Sequence, residues 1–410
     1  MRNSYAARAA IGVALVATLV AACSSSKTKS GGGTPSSAAT SGSSAAISPA
    51  TGSPVTIMIM AVKNTPVLAQ QEQFDAAQAR VDYLNDHGGV NGHKLVLEQC
   101  DTKLDPNAEQ TCLNKAVSDK VSAIVGSTIL FSSFKNLETA KIPLIGAQGI
   151  TPSQLQSPIA YPFGSIFAWF AGMVAMAKSD GVKTISVDYL QTASAQFSDG
   201  VVLDRAKSLG LTAKTNLGTA LTTTDYTADA ATLTKDNPDG VIVVGSTGTA
   251  PPLIKAIKAG GYTGKIYCLS ADFTEQNLAT FKDALEGVRV SNAAMPLDNN
   301  SDPGVQAYKA DMAKYEPSSK QDENGELGWS GVEMFYQIMK SATAFTGADV
   351  IAAAEALTTS IPVGPYGQIY TTGKSPLATY PRLFNHHYVP STIKSGKIVA
   401  DGGFADVFSS

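Results

Sequence analysis

Arg80-Val81-Asp82-Tyr83-Leu84-Asn85-Asp86-His87-Gly88-Gly89-Val90-Asn91-Gly92-His93-Lys94-Leu95 passes directly from a helical pattern into a strand pattern. Phe74, Ala77, Val81 and Leu84 recur at spacings of three and four, the period of a helix with one apolar face. Asp86-His87-Gly88-Gly89 stops that helix, and residues 94–100 then alternate as a strand. Upstream, residues 55–62 are a continuous apolar run of strand length. Strand, helix and strand in that order predict a parallel sheet covered on both faces.

The pattern continues downstream. Asp105-Pro106 supplies an N-cap and first-turn proline for a helix to about Asp119, followed by strands at 122–126 and 142–147. After Phe163-Gly164 a second series begins: helix 167–178, strand 184–189, helix 199–209, strand 241–244, helix 252–259 and strand 265–269. Residues 288–294 read as a strand, with helices near 305–314, 327–344 and 348–357. The tail from Gly364 carries short β-prone stretches at 368–370 and 383–387. The expected fold class is α/β, with two doubly wound parallel-sheet lobes. The length of 410 residues fits two domains plus non-folding segments, and 44% hydrophobic residues suffice for both cores. A net charge of -3 with 16% charged residues provides no basic face for nucleic acid.

The first residues read as an address. Arg2 and Arg8 form a positive n-region, and residues 9–20 are an apolar stretch too short for a good bilayer span. Val20-Ala21-Ala22-Cys23 resembles the bacterial lipobox, in which Cys23 is diacylated after removal of residues 1–22. An uncleaved anchor with an incidental cysteine is the alternative. Residues 23–53, rich in Ser, Gly, Thr, Ala and Pro, read as a disordered tether. Such a chain reaches on the order of 30 Å. An oxidising exterior would allow Cys100 and Cys112 to pair, the alternative being two buried thiols; Cys268 reads as a small core residue. No His or Cys spacing suggests a metal site, and no cofactor is expected.

The segment 80–95, together with Cys100-Asp101, Asp105-Pro106-Asn107 and Ser122-Ala123-Ile124-Val125-Gly126, resembles the branched-chain amino-acid binding protein family. Residues 253–261 and Gly364-Pro365-Tyr366-Gly367 extend that likeness over about 55–408. The resemblance implies a type I periplasmic-binding-protein fold, with crossovers near 164–166, 287–288 and 363–364. Lobe I would comprise 54–165 plus 288–363, and lobe II 166–287 plus 364–408. It implies a monomeric extracytoplasmic protein, lipid-anchored to the cell membrane, that delivers a small solute to an ABC permease and ATPase. A receptor of the same fold that reports its ligand to a membrane partner is the other implied role.

In such folds ligands lie beyond the carboxyl ends of the strands. In the first lobe, Leu130 and Phe131 stand where the resemblance leads one to expect hydroxyls, which argues against an α-amino acid, and Ser132 follows them as a further candidate contact; Gln148, Gly149, Ile150 and Thr151 form the second crevice loop. Phe197 resembles a ligand-facing aromatic, or else packs in the core at a helix cap. Ser246 and Thr247 stand where the family often has an aromatic, and would widen the pocket. Asp272 falls at the position of an acid that pairs with a ligand ammonium, or else N-caps the next helix; Trp169 is a crevice wall or a helix-core residue. The Gly245-Ser246-Thr247-Gly248 stretch is neither a nucleophile elbow nor a phosphate loop, and adjacent His386 and His387 on a strand point to opposite faces, so no enzyme is expected.

Overall fold

The computed structural model describes residues 50–65 and 68–409, with the backbone alone at 193, 194 and 197. Cys23, the leader and most of the tether fall outside these residues. Strands β1 (Gly52–Ala61), β2 (His93–Asp101), β3 (Ala123–Val125), β4 (Leu144–Ile145) and β5 (Ala160–Tyr161) form a parallel sheet in the order β2-β1-β3-β4-β5. From Ile57 to Ala61 every residue of β1 is fully buried, as a central strand covered on both faces requires. The predicted tether end is corrected here: Gly52 already pairs with His93, so residues 52 and 53 belong to β1.

Helix Gln71–Asp86 connects β1 to β2, and Gly89 closes the turn at φ +68°. A side chain there would place its Cβ 2.1 Å from the His93 carbonyl, so only glycine fits. Helix Pro106–Ser118 follows β2; the Asp105 carboxylate accepts from the Asn107 and Ala108 N–H groups, as its position predicts. Cys100 and Cys112 form a disulfide that ties this helix to β2.

Strands β6 (Thr184–Leu190), β7 (Thr212–Thr219), β8 (Gly240–Val244), β9 (Lys265–Leu269) and β10 (Arg289–Asn292) run parallel in the order β7-β6-β8-β9-β10. That order is the same as in the first sheet. Strands β11 (Ile361–Pro362) and β12 (Gln368–Ile369) make a separate hairpin. Two antiparallel strands, β13 (His387–Lys394) and β14 (Lys397–Ala400), extend the second sheet beyond β10, and β15 (Ala405–Asp406) pairs with β13.

Three sequence expectations change. The strand beginning near Val288 was assigned to the first lobe, but β10 lies between β9 and β13 in the second sheet. Gly287, at φ +77°, turns the chain into that strand rather than out of the lobe. Residues 383–386 form no strand; pairing begins at His387, and Pro390 sits within β13. The helix expected at 199 begins at Ala193, because Thr192 caps it through the Ala195 N–H.

Candidate functional site

In doubly wound sheets the strand order reverses beside the first strand, opening a crevice at the carboxyl ends there. In the first sheet this point lies between β1 and β3. Gln70, just before helix Gln71–Asp86, donates from its amide to Thr128 Oγ1 at 3.2 Å and to Asn324 Oδ1 at 3.1 Å. Gln73 donates to the Gly126 carbonyl at 2.6 Å and accepts from the Thr128 hydroxyl. Asn324 in turn donates to Glu72. These contacts place the start of helix Glu323–Met339 at the crevice. Gly126, at φ +50°, permits this approach, since a Cβ would lie 2.7 Å from the Leu327 carbonyl.

The carboxyl end of the second sheet reaches this helix through a hydrogen bond: Ser270, immediately after β9, donates to Glu323 Oε2 at 3.0 Å. Asp272 lies two residues further on, 5% exposed, and its carboxylate accepts from the Leu269 N–H. Burial raises both carboxyls to about 7, opposed in Asp272 by the Leu269 N–H and in Glu323 by the Ser270 hydroxyl. Glu326 recurs on the same helix face; it is 3% exposed, its Oε1 has no partner, and burial holds it well above the usual carboxylate range. The buried Tyr366 hydroxyl stands near Glu323 and Glu326 and faces the Gln148 amide, which favours its ionised form, at more than ordinary hydrogen-bond length. Buried polar groups without partners are uncommon in folded proteins, and Glu326 Oε1 lies near two such hydroxyls, those of Tyr308 and Tyr366.

The first-lobe loops are organised differently. Glu109, in helix Pro106–Ser118 and 1% exposed, accepts from the N–H groups of Leu130 at 2.8 Å, Phe131 at 3.0 Å and Ser132 at 2.8 Å. Gln154 Oε1 accepts from the Ile150 and Thr151 N–H groups, and Thr151 caps helix Pro152–Gln156. Phe131 is 49% exposed at this edge. Gly149 is buried and its carbonyl accepts from Ser165.

Of the other expected site residues, Ser246 is half-buried and held by Thr249, while Thr247 is exposed and its carbonyl accepts from Asn277. Trp169 is buried in helix Ile166–Ser179 within the main core, the helix-packing alternative. The capping alternative for Asp272 does not hold, because Thr274 caps helix Glu275–Thr280. Phe197 lies in helix Ala193–Ser208, and the role expected of its side chain falls outside the described residues. Cys268 is a buried free thiol. His386 binds Asp406, and no group among the described residues suits a metal ion.

Sequence reading missed Gln70, Ser270, Glu323, Glu326 and Tyr366. For Gln70 and Ser270 a usable signal existed, since each closely follows a strand. Glu323 and Glu326 lay before the helix expected at 327, which begins at Glu323 instead. A cavity of about 650 Å³ lies elsewhere, between Arg80, Trp329, Gly364, His387 and Phe404. Its nearest lining residue on that helix, Trp329, is six residues beyond Glu323, about 9 Å along the axis. The Arg80 guanidinium is already paired with Asp311 and Glu333, so among the described residues the cavity presents no free cation.

A family model described as periplasmic binding protein matches residues 68–380. A Leu/Ile/Val-binding protein of Rhizobium johnstonii is 36% identical over 85 residues, spanning 20% of this chain and 23% of that relative's length. An extracellular ligand-binding receptor from Verminephrobacter eiseniae has a TM-score of 0.70 at 16% identity, covering 84% of this chain and 99% of the other. A fatty acid ABC transporter substrate-binding protein from Thermomonospora curvata has a TM-score of 0.71 at 18% identity, covering 87% and 94%. These two structural likenesses establish the fold.

Proposed function

The chain belongs to the periplasmic binding protein family, and from that premise we propose that it captures a small solute between its two sheets by hinge closure and delivers it to an ABC permease and ATPase. The family is one of binding proteins, not enzymes. The observation that carries the proposal is the hydrogen bond from Ser270, at the carboxyl end of the second sheet, to Glu323, at the start of the helix that reaches the first-sheet crevice, with Glu326 Oε1 unpartnered beside it. A solute lying there touches both sheets only when they approach, so its binding favours the closed state.

On this reading the lobes are those expected from the sequence, with the second crossover moved beyond Asn292. Phe131, Gln148, Ser246, Thr247 and Asp272 line the crevice, joined by Ser270, Glu323 and Tyr366. The protein works as a monomer outside the cytoplasm, held by a lipid on Cys23 and the tether that follows; among the described residues no helix is long and apolar enough to cross a membrane. The test is a thermal-shift screen against amino acids, amides and small carboxylates. A ligand at 100 times its Kd should stabilise the protein by about 2.7 kcal/mol. A selective hit that Asp272→Ala removes supports the reading, and a folded protein that no solute stabilises contradicts it.

A further inference from the structure

We infer that the crevice selects a solute whose polar end is a neutral hydrogen-bond donor of the carboxamide type, and that it rejects carboxylates. This rests on the solute-capture reading above and names its substrate class. Three successive backbone N–H groups converging on one point form a nest for an anion. In the first-lobe loop those groups belong to Leu130, Phe131 and Ser132, and the nest is already filled from within the chain by Glu109. The neighbouring loop is closed in the same way, with Gln154 taking the Ile150 and Thr151 donors. A carboxylate solute therefore finds these donors occupied.

It also finds no countercharge. The crevice loops 127–133, 148–151, 191–199, 245–249 and 270–274 contain no Lys, Arg or His. Lys63, beyond β1, stands over the Phe74 ring, Lys320 is paired with Asp322, and Lys309, whose charge reaches Glu326, donates to Asn300. What the crevice does hold unmet is acceptor capacity: Glu326 Oε1 has no partner, and Asp272 and Glu323 lie close by. Bringing an anion beside ionised Asp272 or Glu323, away from water, is strongly unfavourable. A carboxamide N–H₂ matches them, and its carbonyl can accept from the Tyr366 hydroxyl, whose oxygen faces the Gln148 amide. The exposed Phe131 gives such a solute an apolar surface for its body.

The test is calorimetric titration of the wild-type chain with matched pairs, leucinamide against leucine and hexanamide against hexanoate. The expected result is at least tenfold tighter binding of the amide in the pair that binds. Equal or tighter binding of the carboxylate overturns the inference while leaving solute capture intact. No heat from any of these, nor from a wider solute library, overturns both. A second arm empties the nest with Glu109→Ala: millimolar formate should restore part of the lost melting temperature and formamide should not. Equal effects of the two would show that the loop is not an anion nest and would overturn the argument at its base. If this variant does not fold, the wild-type titration decides alone.

Discussion

The two sheets share one strand order, yet their carboxyl ends are finished in different ways. At the first, backbone donors of the loops after β3 and β4 are taken up by Glu109 and Gln154, and the disulfide fixes the helix that carries Glu109. At the seam with the second, Asp272, Glu323 and Glu326 are buried carboxyls with few partners. One end is prebuilt and internally satisfied; the other holds polar capacity in reserve. Pre-organised surfaces lose less on binding, whereas unmet buried acceptors gain most from a ligand. The same fold thus supplies a rigid wall and a selective one.

The contrast can be broken at several points. The largest effect is expected from Glu109→Ala, which strips three N–H groups of a charged acceptor and should cost about 3–5 kcal/mol in urea unfolding. A loss below about 1 kcal/mol would erase the distinction between the two ends. Replacing both Cys100 and Cys112 with Ser should remove about 3 kcal/mol by the chain-entropy account, with a lower urea midpoint.

Proton linkage sharpens the other side. Asp272 and Glu323 titrate near 7 when buried and in the ordinary carboxylate range, near 4, when exposed, and Asp188, raised to about 7 by burial, acts in the same direction. Between those values the folded state binds more protons than the unfolded one. Their contribution to stability is therefore fullest below about pH 4, falls as pH rises to about 7 and is level above that, partly offset by His387, which burial lowers to about 4 and which gains stability as pH rises to about 6.5. A decrease on the order of 1–3 kcal/mol from pH 5 to 7.5, shallower in Asp272→Asn, is the expected result, and the opposite slope would contradict it. The smallest effect belongs to Ser270→Ala, which removes one bond between the second sheet and helix Glu323–Met339. It should weaken solute binding less than tenfold, about 1 kcal/mol, mainly through faster release.

Much of this molecule is legible in its sequence for a physical reason. The segment from Phe74 to Leu95 carries helix period, glycine stop and strand alternation within one local stretch, and each signal matches the structure. Strand β7 was not legible, because its Thr-Ala-Lys-Thr-Asn composition is that of an exposed edge, and β13 was hidden by Pro390. The site was read only at the level of its loops. Glu109 looks like any helix acid, and its role exists only because the chain returns 21 to 23 residues later. Ser270 and Glu323 are 53 residues apart, and no local pattern joins them.

The most direct test of solute capture between the sheets is hydrogen–deuterium exchange with the first solute that raises the melting temperature. The account predicts simultaneous protection of loops 127–133 and 148–151 from the first sheet and 270–274 from the second. Protection confined to one sheet, or centred on the cavity beside Arg80 and Phe404, would contradict it.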